Sequence, residues 1–85
     1  MYTQLQKDFL ATRKSIDMLR VRIDKMQGEC SIAYDLGNED KANQLDNSIE
    51  YAFEKIWKLE DAFSAQHKTA YYDIETDWLI NGKKF

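Results

Sequence analysis

Two cations stand out among the residues whose types and spacing could do chemistry. Arg22 and Lys55 each lack an acid three or four positions away, the spacing at which a helical neighbour would neutralise them. If the chain folds back on itself near Gly37, the two fall at roughly facing positions on one flank, with Ser15 and Ser48 on the same side. Unneutralised like charges beside hydroxyl donors make an anion site, for phosphate, a nucleotide or an acidic patch on another chain. The plainer reading is two long side chains splayed into water and screened by salt.

The remaining chemistry-bearing residues form no constellation. His67 is the only histidine and is expected at the surface, favourably placed near the end of a helix. Cys30 is the only cysteine, so no intrachain disulfide can form, and its place on an apolar stripe points to a buried thiol in a reducing compartment. The three glycines are isolated and cannot build a phosphate loop, and no pair of histidines or Glu-x-x-His spacing marks a metal site. These features argue for a protein that is not an enzyme and carries no cofactor or metal.

The elements that must position Arg22 and Lys55 are two long helices. Leu5, Phe9, Thr12, Ile16, Leu19, Ile23, Met26, Cys30 and Ala33 alternate steps of four and three, a heptad seam that requires a covering helix. The spacing predicts helix 1 over about 3–36, with Thr3 as its cap. Gly37 and Asn38 supply a left-handed stop and a new cap, and Glu39 and Asp40 favour the following helix start. Helix 2, over about 39–68, carries the matching seam Ala42, Leu45, Ile49, Ala52, Ile56, Leu59, Phe63 and Gln66.

Folded at Gly37, the seams bring Cys30 to Leu45, Met26 to Ile49, Leu19 to Ile56 and Thr12 to Phe63. In that register Arg13 should approach Glu60, and Arg20 the ring of Phe53. The charge distribution agrees with a hairpin: residues 3–36 hold six basic and five acidic side chains, residues 37–66 three and seven, so the halves attract. The basic residues of helix 1 are interrupted by acids and lack interleaved aromatics, which argues against nucleic acid as a partner.

The C-terminal element, about 70–81, is ambiguous. Tyr72, Ile74, Thr76, Trp78 and Ile80 alternate like a strand, and Asn81-Gly82 is a hairpin-turn dipeptide. Tyr71, Ile74 and Trp78 equally make a helical stripe ended by Gly82. A short third helix is favoured, since a lone strand would have to pair across a dimer.

The whole reads as one all-α domain over 1–85, a heptad-packed antiparallel hairpin with a short C-terminal helix or extended segment. At 85 residues the buried fraction is small, so assembly into a homo-oligomeric helical bundle is expected. A second, weaker stripe, Leu10, Met18, Val21, Gly28 and Ile32, is either scattered surface or a face covered by the C-terminal segment or another subunit. The aromatics Phe53, Trp57, Tyr71, Tyr72 and Trp78 are the expected interface with a protein partner, with an ordinary intrachain core as the alternative. No apolar run is long enough for a membrane span, and the first residues carry charge where a signal peptide is apolar, so a cytoplasmic location is expected. The function anticipated is that of a small regulator, adaptor or inhibitor. A rival is an oligomeric sponge or sensor holding a small anion at subunit boundaries, and a third reading is a coiled-coil spacer.

Overall fold

The structure, a computed structural model, describes all 85 residues. Three helices follow one another: α1, Gln4–Asp35; α2, Glu39–His67; and α3, Tyr71–Ile80. Thr3 opens α1 with a capping box, accepting from the Gln6 amide at 3.2 Å while its own amide donates to Gln6 Oε1 at 2.9 Å. At the far end the Gly37 amide donates to the Tyr34 carbonyl and the Asn38 amide to that of Ala33, a Schellman closure that needs the positive φ of Gly37. Asn38 then caps α2 through the Lys41 amide at 3.3 Å.

The two seams pack in the expected register. Phe9 meets Phe63 with ring centroids 6.3 Å apart, Asp8 meets His67 at 2.9 Å, and the Cys30 thiol lies beside Ala42 and Asp46, with Leu45 against the same cluster. Buried residues on α1 are Phe9, Ile16, Ile23, Cys30 and Ala33, and on α2 Ala42, Ala52, Ile56 and Phe63, all of them seam positions. Ala33, Ala42 and Ala52 alternate with large side chains along the seam.

The C-terminal segment is a helix. Gly82 and Lys83 donate to the carbonyls of Leu79 and Trp78, so Asn81-Gly82 closes α3 and does not turn a strand pair. No side chain at Ala70 caps its start; Ser64 of α2 accepts from the Tyr71 amide at 2.9 Å instead. This cap from the preceding helix helps to fix α3 across the open end of the hairpin. There Phe9 touches the rings of Tyr71, Trp78 and Phe85, at 5.3, 5.3 and 5.7 Å.

The molecule is a slab, 52 × 25 × 17 Å, with only ten residues buried. One helix pair is its full depth over most of its length, so each helix keeps a face in water. The outer face of α1 is one of these: Met18, Val21 and Ile32 are exposed and α3 does not cover them.

Candidate functional site

Two of the expected interface aromatics belong to the chain's own core. Tyr71 is 3% exposed, packed between Phe9 and Phe63, and Trp78 is half-buried against Phe9. The reason is that α3 lies over the end of the hairpin and turns its inner stripe toward Phe9. Phe53 also leans on the core from one side, and only Trp57 and Tyr72 are fully at the surface. Phe53 is partly buried and stacks on Trp57 at 6.3 Å and 26°, while Trp57 is 58% and Tyr72 71% exposed.

Arg13 and Arg20 differ from the expected arrangement as well. Arg13 does not reach Glu60; it donates to Asp17 at 3.2 Å and to Glu75 at 2.7 Å, with its guanidinium 5.4 Å from the Trp78 ring centroid. Because α3 lies over this end, it offers Arg13 a less exposed acid than α2 does. Arg20 sits 3.8 Å from Asp17 and within the field of Glu60, and Phe53 takes Trp57 in place of Arg20 as its stacking partner. Burial and the nearby Glu75 push the Glu60 carboxyl up, which Arg20 partly offsets. Burial works against the Arg13 charge, but Asp17 and Glu75 outweigh it and raise its pKa. The Tyr71 phenol beside Glu75 is pushed well up by burial, and its oxygen has no hydrogen-bond partner of acceptable geometry.

The polar residues expected to form an anion site do come together. Ser48, Arg22 and Lys55 line one hollow between the helices, of about 410 Å³, and Ser15, Arg22 and Lys55 line a second of about 320 Å³. Leu19, Arg22 and Lys55 line both, so the hollows adjoin. The Lys55 amine sits 4.9 Å from the Tyr51 ring centroid.

Near the turn is a cluster that spacing alone did not single out. Asp46 accepts from the Tyr34 hydroxyl at 2.7 Å and from the Cys30 thiol at 3.3 Å. These bonds, that from Tyr34 first, hold the Asp46 carboxyl below its usual value. Burial and Asp46 push the Cys30 thiol up, and Asp46 does the same to the Tyr34 phenol. The hairpin register carries the signal for it, since Cys30 opposite Leu45 leaves Asp46 one residue away.

The signs define a pH window. A carboxyl depressed in the fold stabilises it above its unfolded value of 3.8, and that contribution is lost as pH falls through the folded value. A thiol and phenol raised in the fold contribute below their unfolded values of 9.0 and 10.0, and lose this as pH rises through the folded values. Urea denaturation across pH should therefore show a Tyr34→Phe variant converging on the wild type as the medium is acidified below that carboxylate value. A constant difference down to the lowest pH would contradict the Asp46 bond.

His67 is half-buried, bonded to Asp8 and packed against Phe63 at 4.8 Å. No three or more His, Cys, Asp or Glu side chains gather closely enough to hold a metal ion, and no helix is long and apolar enough to cross a membrane. Comparison of the chain with protein-family models, with curated proteins and with solved structures gives no match in any of the three.

Proposed function

We propose that this protein is a non-enzymatic helical binding module that regulates, bridges or inhibits another protein by docking the Phe53–Trp57 ridge onto it. The observation that carries the reading is the position of Trp57. Indole is costly to leave in water, and α3, the one element of the chain free to cover it, packs over Phe9 and Phe63 instead. Trp57 therefore stays 58% exposed on a rigid two-helix scaffold, its plane held against Phe53. Aromatic side chains fixed in this way lose little conformational freedom on binding and serve as interface anchors. Tyr72, exposed on the outer side of α3, adds a second anchor.

A photo-crosslinking amino acid placed at position 57 and expressed in the native host tests this. A defined adduct with a different protein is expected from position 57 and not from position 62, which is exposed on the opposite side of α2. Adducts only between copies of the chain would reassign the ridge to self-assembly, and equal adduct patterns from both positions would overturn the docking role.

A further inference from the structure

The flank carrying Arg22 and Lys55 is separate from the Phe53–Trp57 ridge and has its own chemistry. We infer that it is a binding site for the phosphoryl group of a small molecule, held between the Arg22 guanidinium and the Lys55 amine. Three observations carry this. The first is that neither cation has an ionic partner: the ion pairs of the molecule involve Arg13, Arg20 and His67. The second is that no carboxylate lines either hollow, whereas the other principal hollows of the surface carry Asp17, Asp77 or Glu29. A chain of net charge −3 thus concentrates two uncompensated cations in one place.

The third is the donor set. Ser48 lines the larger hollow and Ser15 the smaller, with Arg22 and Lys55 common to both. Guanidinium, ammonium and hydroxyl groups are the donors that a tetrahedral oxyanion recruits, and the guanidinium fork can hold two of its oxygens. Contact with the Tyr51 ring restrains the Lys55 amine at the rim.

The floor extends the argument to what the phosphate is attached to. Leu19, Met26 and Ala52 give the larger hollow an apolar base, and the Asn47 amide stands at its edge. A volume of about 410 Å³ lies in the range of small-molecule sites. A phosphate ester with a flat, weakly polar body, such as a nucleoside monophosphate, satisfies the cations, the floor and the amide together. A nucleic-acid strand fits less well, because its affinity comes from many phosphate contacts along a basic track and only two cations meet here.

The test is an amide and side-chain NMR titration of the full chain with AMP, with inorganic phosphate and with adenosine. AMP is expected to shift Leu19, Arg22, Ser48 and Lys55, and the Arg22→Gln/Lys55→Gln double variant to weaken this by at least about tenfold. Both residues are exposed, so the double variant should keep the wild-type circular dichroism and melting temperature. Tighter binding of AMP than of phosphate identifies an ester as the ligand, and equal binding identifies the free ion; both uphold the phosphoryl site. Absence of shifts at millimolar AMP and phosphate, equal shifts with adenosine, or shifts that persist in the double variant would overturn it. So would binding of an acidic peptide without binding of phosphate. The double variant leaves Trp57 untouched, so crosslinking from position 57 distinguishes failure of this site from failure of the docking face.

Discussion

Phe9→Ala is expected to be the most damaging single substitution, costing about 3–5 kcal/mol. Phe9 is fully buried and is the one ring that meets Phe63 of α2, Tyr71 and Trp78 of α3, and Phe85 beyond it. Its removal opens a cavity bounded by four aromatic rings that are held by separate elements, so no single shift can fill the space. A domain of 85 residues has roughly 4–13 kcal/mol of stability in all, and this loss is a large part of it. Urea denaturation followed by circular dichroism measures the effect, with Phe9→Leu as a milder control at about 1–1.5 kcal/mol. A cost under about 1 kcal/mol for Phe9→Ala would be incompatible with this aromatic cluster.

The second large effect is expected at Arg13. Arg13→Met keeps most of the packing volume and removes the charge, and should cost about 1.5–3 kcal/mol. Most surface ion pairs contribute far less, but here the Arg13 and Glu75 side chains are only 17% and 16% exposed, and their bond is 2.7 Å. Without the guanidinium, Glu75 is left near Glu60 and the Tyr71 hydroxyl, with only Arg20, which acts on Glu60, to offset the negative charge. The loss should therefore fall on α3, and appear as a change in the near-ultraviolet signal of Trp78 before helix content falls. A double-mutant cycle with Glu75→Gln should give a coupling of about 1 kcal/mol or more, while Asp17→Asn, at a half-exposed position, should cost only a few tenths. Comparable couplings at the two acids would mean that α3 is not anchored through Glu75.

The hairpin was legible because three local signals agree on it. The four-three alternation from Leu5 to Ala33 sets the buried face, the Gly37-Asn38 pair sets the reversal, and the matching seam from Ala42 sets the register. Each depends on residues close in the chain. The docking of α3 was not legible to the same degree, because most of its anchor is a set of contacts between distant residues, Arg13 with Glu75 and Phe9 with three rings, to which the nearby Ser64 hydroxyl adds its bond from the Tyr71 amide. Period-two alternation from Tyr72 to Ile80 competes with helical spacing in ten residues, and tertiary packing decides between them. The same distant contacts removed Tyr71 and Trp78 from the surface and drew Arg13 away from Glu60. The grouping of Arg22, Lys55, Ser15 and Ser48 was legible, since it follows from the register alone.

That contrast between near and distant contacts also orders the formation of the fold in time. Between α1 and α2 beside Gly37, bonds join residues as few as 12 positions apart, as between Cys30 and Ala42, whereas the bonds of α1 at the open end join residues 59 and 62 apart, as between Asp8 and His67 or Arg13 and Glu75. Closing a long loop costs more chain entropy than closing a short one, so the two arms are expected to pair from the turn outward. The contacts of Phe9 with α3 and Phe85 span some of the longest loops and are expected to close last. Hydrogen exchange is expected to follow the same division, with the α3 amides less protected than those along the α1 and α2 seams.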